Sequence, residues 1–171
     1  MNIASLIREI ADFPQPGILF RDITPLLADP EGLSATVDQL EQWARGVRPE
    51  VVVGIESRGF IFGVPLALRL GVGFVPVRKP GKLPARTVTQ TYELEYGTDS
   101  LEIHADALAA GQRVLIVDDL LATGGTAAAA ARLVRQVGGR VEGLLFVIEL
   151  TALGGRRRLE GETVHALLSY D

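Results

Sequence analysis

The residues with the most chemical content form one continuous run, Val114-Leu-Ile-Val-Asp118-Asp119-Leu-Leu-Ala-Thr123-Gly124-Gly125-Thr126. An apolar β-branched stretch of this kind reads as a strand buried on both faces, as in a parallel sheet flanked by helices. From Thr126 onward, the alanines at 127–131 with Leu133, Val134 and Val137, closed by Gly138-Gly139, read as a helix with a glycine stop. The turn between them sits at a helix N-terminus, where unpaired amides and the positive dipole end favour an anion. Gly124 and Gly125 let backbone approach a phosphate closely, and Thr123 and Thr126 add hydroxyl donors. No lysine follows the glycines, so the loop is not of the Walker type that grips a nucleoside triphosphate.

Two adjacent aspartates beside an anion cradle would repel the ligand if they faced it. Their natural partners are donors: sugar hydroxyls, taken directly or through a metal-bound water. Phosphate, vicinal diol and carboxylates together spell a ribose 5-phosphate. The bland alternative is a hydrophilic turn in which Asp119 or Thr123 merely caps the helix.

The elements that must position this loop follow from periodicity and punctuation. Residues 3–11 read as a short amphipathic helix with Ile3, Leu6, Ile7 and Ile10 on one face. Phe13-Pro-Gln-Pro-Gly17 breaks it, and Ile18-Leu19-Phe20 is a brief extended segment. Residues 33–47 carry a second helix with Leu33, Val37, Leu40, Ala44 and Val47 at helical spacing. Residues 51–55 are a buried strand and Glu56-Ser57-Arg58-Gly59 its exit turn. A helix at 63–70, strands at 73–77, 144–148 and 164–169, and a long loop or mobile hairpin from Pro80 to about Gly97 complete the order. Alternating strands and helices imply a doubly wound, mostly parallel α/β sheet, whose ligands sit at the carboxyl ends of the strands.

Composition sets the outer bounds. A chain of 171 residues with 47% hydrophobic and 22% charged residues reads as one ordinary globular domain, 1–171. It has no cysteine, which excludes disulfides, thiolate zinc sites and thiol catalysis, and its two histidines, His104 and His165, offer no metal spacing. The absence of a secretory start and of a long apolar span leads to a cytoplasmic expectation. The net charge of −4 argues against a general nucleic-acid binder. It hides a local excess: from Ser57 to Tyr92 there is no acid, while Arg58, Arg69, Arg78, Lys79, Lys82 and Arg86 all fall inside. Beside a sugar-phosphate loop, that window is the natural seat for a pyrophosphate.

Further motifs occur in order along the chain: Phe13-Pro-Gln-Pro-Gly-Ile-Leu19-Phe20-Arg21-Asp22-Ile-Thr-Pro-Leu-Leu27, Glu56-Ser57-Arg58-Gly59-Phe60, Arg78-Lys79-Pro-Gly-Lys82-Leu-Pro84, Tyr92-Glu-Leu-Glu95-Tyr96-Gly97 and Leu101-Glu-Ile103. With the phosphate loop they resemble the adenine phosphoribosyltransferases of the type I phosphoribosyltransferase family, over nearly the whole chain. The resemblance implies transfer of a 5-phosphoribosyl group from phosphoribosyl pyrophosphate to adenine, giving AMP and pyrophosphate. It implies Mg²⁺ carried on the donor with no direct protein ligand, and a homodimer. It implies that Ala122, Thr123, Gly124, Gly125 and Thr126 cradle the 5-phosphate and that Asp118 and Asp119 hold the ribose hydroxyls. Arg58, Lys79 and Lys82 match pyrophosphate positions, as does the Glu56-Ser57 turn, where the family often has a non-proline cis peptide. Arg78 matches a position offered across a dimer interface.

By the same resemblance, residues 1–32 form a base-binding hood in which Leu19, Phe20 and Arg21 read adenine, with Leu120 as the opposing apolar wall. Adenine offers an acceptor at N1 and a donor at N6, and hypoxanthine reverses both. A fixed carbonyl and amide therefore leave two groups unpaired with the wrong base. Residues about 80–98 form a lid, expected from the polar stretch between Lys82 and Gly97, which has too little apolar content to anchor it. Glu95 matches the catalytic acidic position and Tyr96 covers the site. Arg58 is the second catalytic candidate, since a fixed cation at the leaving side lowers the barrier. Ala105 departs from the family, which commonly has a basic residue there. Two other readings stay open: a nucleotide-sensing regulator that keeps this fold, and a phosphoribosyltransferase for another purine. The first lacks spare length for a nucleic-acid-binding module, and the Phe13-to-Leu27 motif argues against the second.

Overall fold

The computed structural model describes residues 1–94 and 96–171, and the chain divides into two compact units, Met1–Gln39 and Leu40–Asp171.

In the first unit the expected helix over 3–11 is replaced by a 3-10 turn, Ile3–Leu6, and a strand, β1 (Arg8–Ile10). β1 pairs antiparallel with β2 (Phe20–Asp22), Glu9 opposite Arg21 and Ile10 opposite Phe20. The physical reason is cross-strand pairing. Arg8 donates to Asp22 through Nε at 2.9 Å and Nη2 at 2.5 Å, Arg21 donates to Glu9, and Phe13 packs edge-on against Phe20 with centroids 5.1 Å apart. No local periodicity records such contacts, and a short helix is marginal without packing. The connecting turn holds a cis Phe13–Pro14 peptide and Gly17 at φ 87°. Asp22 also accepts from the Thr24 amide at 2.9 Å at the head of α1 (Thr24–Ala28). Helix α2 (Pro30–Val47) follows, starting three residues earlier than its apolar spacing predicts.

The second unit is built on five parallel strands in the order β4-β3-β7-β8-β9: β3 (Val51–Ile55), β4 (Gly73–Val77), β7 (Arg113–Leu121), β8 (Arg140–Leu150) and β9 (Val164–Tyr170). Helix α3 (Arg58–Leu70) joins β3 to β4, and α4 (Gly125–Gln136) joins β7 to β8. The two crossovers leave in opposite directions along the sheet, so their right-handedness places the helices on opposite faces. β3 and β7 pair side by side, Val51 opposite Val114 through Gly54 opposite Val117, and the crevice opens at their carboxyl ends, where the strand order reverses. The core under α4 joins Val53, Ile116 and Phe146 to the helix alanines Ala129 and Ala130.

α3 begins five residues before its expected start, which puts Arg58 in its first turn. It can lie close to the sheet because Gly59 lacks a side chain. A Cβ there would stand 2.9 Å from the Val117 carbonyl oxygen and 3.1 Å from Asp118 Oδ1. The stretch expected as a long loop is a hairpin, β5 (Thr87–Glu93) with β6 (Thr98–His104), Tyr92 opposite Asp99. Tyr92, Leu101 and Ile103 are buried in the α4 core, with Val88 packed against it. Leu101 and Ile103 lie past Gly97, outside the polar window that suggested an unanchored segment, while Val88 and Tyr92 anchor the strand inside it. The tip is exposed, with Tyr96 at 87% of its full accessibility.

After β8 come two 3-10 turns, Thr151–Leu153 and Gly155–Leu159, and the second docks on the loop ahead of α4. The approach is glycine against loop: a Cβ on Gly155 would stand 2.5 Å from the Ala122 carbonyl oxygen and 2.9 Å from Leu121 Cδ1. Gly155→Ala is therefore expected to cost about 1–3 kcal/mol, as overpacking of a tight contact does, and to lower Tm by several degrees. Thermal unfolding followed by circular dichroism checks this, and an unchanged Tm would show that the docking is loose.

Candidate active site

β7 does not stop at the aspartates. It runs on to Leu121, with Asp118 opposite Phe146 and Leu120 opposite Ile148 on β8, so both carboxylates are held by a strand rather than a turn. Gly124 then takes φ 86° immediately before α4. The N-cap position is a glycine and the first turn carries no acid, so among the described residues no side chain caps the leading N–H groups. Thr126, in the first turn, donates its hydroxyl to the Tyr92 hydroxyl at 3.3 Å.

A cleft of about 440 Å³ lies over these strand ends. It brings together Glu56, Ser57, Arg58 and Lys79 from one side and Asp118, Asp119, Leu120, Ala122, Thr123, Gly124 and Thr126 from the other. Gly125 adjoins it as the first residue of α4, and the Glu56–Ser57 peptide is cis. Of the remaining sequence candidates, Arg78 and Lys82 flank the cleft and point at Glu56, and Tyr96 is out at the hairpin tip. Leu19, Phe20 and Arg21 belong to the first unit, Leu19 exposed ahead of β2 and the other two half-buried within it. Glu95 lies outside the described residues.

The charges around the cleft are already paired. Arg58 Nε donates to Asp119 Oδ2 at 2.5 Å, and Asp119 is only 7% exposed. Glu56 gathers the opposite wall: its Oε1 accepts from Arg78 Nε at 3.2 Å and from the Lys79 amide at 2.8 Å, and its Oε2 from Lys82 Nζ at 3.2 Å. Burial works to raise the Glu56 carboxyl, but the Lys79 amide, Lys82 and Arg78 outweigh it and hold it below the usual range. Lys79 donates to Asp99 and, at 3.4 Å, to the Tyr92 hydroxyl. Burial would lower the Lys79 ammonium, yet Asp99 and Tyr92 raise it. The cation window read from the sequence is thus not one patch, because Arg69 lies in the last turn of α3 and donates to Glu41 at 3.2 Å.

Asp118 is the anomalous group. The residue is half-buried and lines the cleft. Burial pushes its carboxyl well above the ordinary carboxylate range, and the neighbouring Asp119 carboxylate pushes further. Its Oδ1 accepts from the Asp119 amide at 2.8 Å. A carboxyl so placed gains from incoming hydroxyl donors, and a vicinal diol supplies two. Tyr92 and Asp99 gained no role from sequence reasoning. The signal lay in the hairpin register about Gly97, which sets the two residues opposite each other.

Among the described residues, no group of three or more histidine, cysteine, aspartate or glutamate side chains gathers to hold a metal ion. Asp118 and Asp119 do present hard oxygen donors, the kind Mg²⁺ uses alongside substrate phosphates and water.

Comparison with known proteins matches the phosphoribosyl transferase domain model to residues 27–160. The adenine phosphoribosyltransferase of Solibacter usitatus is 62% identical over 170 residues, 99% of this chain and 98% of that one. That of Clostridium perfringens is 60% identical over 171 residues, 100% and 99% of the two chains. Among solved structures, the adenine phosphoribosyltransferase of Thermoanaerobacter pseudethanolicus superposes with TM-score 0.96 at 55% identity, covering 98% of each chain. The Saccharomyces cerevisiae adenine phosphoribosyltransferase, complexed with an imino-altritol bisphosphate and adenine, gives TM-score 0.91 at 46% identity, over 97% and 96%.

The raised Asp118 carboxyl has a consequence for stability. Because its folded value lies above the unfolded one, the native state binds the extra proton, and stability falls as pH rises from the ordinary carboxylate range through the raised value. Asp118→Asn keeps the acceptor for the Asp119 amide and removes the charge. It is expected to raise Tm by a few degrees at pH 7.5, the gain shrinking toward pH 4. Tm against pH for both proteins tests this, and a pH-independent difference would contradict it.

Proposed function

Because the chain belongs to the adenine phosphoribosyltransferases, a family of pentosyl-transferring enzymes of purine salvage, we propose the following assignment of its cleft. The enzyme transfers the 5-phosphoribosyl group of phosphoribosyl pyrophosphate to adenine, releasing AMP and pyrophosphate. One observation carries the assignment: a single cleft joins a glycine-led helix N-terminus without a side-chain cap, a carboxylate pair and the cations Arg58 and Lys79. These are the complements of a phosphate, a diol and a pyrophosphate.

Ala122, Thr123, Gly124, Gly125 and Thr126 hold the 5-phosphate through the leading amides of α4 and the two threonine hydroxyls. Asp118 and Asp119 accept the ribose hydroxyls. As the diol takes over Asp119, the Arg58 guanidinium is released from its 2.5 Å bond toward the pyrophosphate. Lys79 leaves Asp99 and Lys82 leaves Glu56 for the leaving group in the same way, with Ser57 lining the seat, and Arg78 leaves Glu56 for the pyrophosphate of the neighbouring subunit. Departure of pyrophosphate builds positive charge on the sugar and negative charge on the leaving oxygens, so cations fixed on that side lower the barrier. Asp118 and Asp119 would hold the Mg²⁺ of the donor only through ribose hydroxyls or water, and the ion would supply further charge neutralisation at the leaving group.

Leu19, Phe20 and Arg21, within a base-binding hood over 1–32, read and stack on adenine, and Leu120 gives the cleft an apolar side chain suited to a base. Adenine beside a bisphosphate in the yeast relative supports that choice of base. The hairpin over about 80–98 acts as a lid, Glu95 handling the proton at the purine imidazole ring and Tyr96 closing over it. Excluding water protects an oxocarbenium-like sugar from hydrolysis. The working form is a cytoplasmic homodimer whose Arg78 serves the neighbouring site. No helix among the described residues is long and apolar enough to cross a membrane.

AMP formation from adenine and phosphoribosyl pyrophosphate with Mg²⁺, run beside hypoxanthine and guanine, tests the assignment. Turnover with adenine alone is expected, with loss on chelation and recovery on adding Mg²⁺ back. Glu95→Gln should lower kcat by roughly 10²–10⁴, the usual reach of general acid–base catalysis. Tight nucleotide binding without turnover of any base would replace the enzyme by a nucleotide sensor.

A further inference from the structure

Arg156-Arg157-Arg158 form a basic run that the assignment above leaves unused. In the 3-10 turn Gly155–Leu159 successive side chains point about a third of a turn apart, so the three guanidinium groups go to different places. Arg156 is structural: its Nε donates to both oxygens of the buried Glu149, at 2.8 and 3.0 Å, and its Nη1 to the Val164 carbonyl at 3.1 Å. Arg157 folds back on Gly154, its Cζ 3.3 Å from where a Cβ there would stand.

Arg158 goes to the head of α4. Its Nη1 lies 3.6 Å from the position a Cβ on Gly125 would occupy, in the company of the Tyr92 ring and the Glu93 carbonyl. The tight docking of Gly155 on Ala122, with the Gly155 carbonyl 2.4 Å from the Cβ position of Gly124, fixes the register that puts it there. Among the described residues Arg158 has no hydrogen bond or ion pair, and it is exposed. A cation is unfavourable at the positive end of a helix dipole, by roughly 0.3–1 kcal/mol, and here no carboxylate of the described chain compensates. A dianion bound at the same amides would reverse that sign.

We propose that Arg158 is a ligand-binding residue that closes over the phosphate held by the 122–126 loop, supplying from the distant β8–β9 connection the side-chain cation that the loop itself lacks. The proposal rests on the phosphate reading of that loop. Arg158 then contributes uniform binding of the 5-phosphate, present equally in the ground and transition states, which appears in KM rather than in kcat.

The test is calorimetric titration of AMP, ribose 5-phosphate, adenosine and pyrophosphate into the wild type and into Arg158→Gln, Arg158→Lys and Arg157→Gln, with Tm and steady-state kinetics of each. Arg158→Gln should weaken AMP and ribose 5-phosphate on the order of tenfold, the scale of one lost charge-assisted hydrogen bond, and leave pyrophosphate unchanged. It should raise KM for phosphoribosyl pyrophosphate with kcat held. Arg158→Lys should recover much of the loss, and Arg157→Gln should behave as wild type. If Arg158→Gln binds AMP as tightly as a wild type that clearly prefers AMP to adenosine, the proposal falls and the loop reading stands. A wild type that binds AMP no better than adenosine would overturn both. Equal weakening of pyrophosphate and AMP in both Arg158 variants, with lowered Tm, would make the residue structural and overturn the proposal.

Discussion

The parallel pairing of β3 with β7 is the constraint from which the rest of the second unit follows. Each strand sends its helix out over a different face, so at their carboxyl ends the chain diverges and backbone cannot fill the gap. That gap receives the end of β3 as Glu56 and Ser57, the end of β7 as Asp118 and Asp119, and the N-termini of α3 and α4. Gly59 tightens the arrangement by letting the first turn of α3 touch the Val117 carbonyl, which holds Arg58 within reach of Asp119. A bulkier residue would push the arginine away from the strand and with it the charge that offsets a buried carboxylate.

Electrostatics impose the second layer. The cleft holds carboxylates and cations within a few ångströms of one another, and buried charge is costly unless paired. The chain meets this by pairing the groups with one another: Arg58 with Asp119, Lys79 with Asp99, and Arg78 and Lys82 with Glu56. A ligand with the same charge pattern can exchange into these pairs without leaving a stranded ion. Among the described residues Asp118 has no such ion-pair partner of its own, and burial beside Asp119 leaves its carboxyl raised at a cost to stability.

The hairpin β5–β6 is anchored through its arms. Tyr92, Leu101 and Ile103 root its arms in the α4 core, and the Tyr92 hydroxyl meets Lys79, Asp99 and Thr126. One buried hydroxyl thereby links Lys79, the hairpin and the 122–126 loop, while Leu94 and Tyr96 beyond it are exposed. Withdrawing the arms would expose buried apolar surface at about 25 cal/mol per Å².

What the sequence by itself determined is what local chemistry encodes. The β-branched runs at 51–55 and 114–117, the glycine-led start of α4 and the Asp118-Asp119 pair were legible because each depends on neighbours within a turn or two. The alternation of strands with helices then sufficed for a doubly wound sheet. Tertiary structure decided the rest through contacts between residues far apart in sequence. It turned 8–10 into a strand because Asp22 and Phe20 lie across from it, and it prolonged β7 to Leu121 because β8 runs on beside it. It split the basic window, sending Arg69 to Glu41 and Arg78 to Glu56, and it brought Arg158 beside Gly125 from 33 positions away along the chain. Such placements carry no periodic signal. They follow from loop docking and glycine-to-backbone approach, which a linear pattern of residue types does not record.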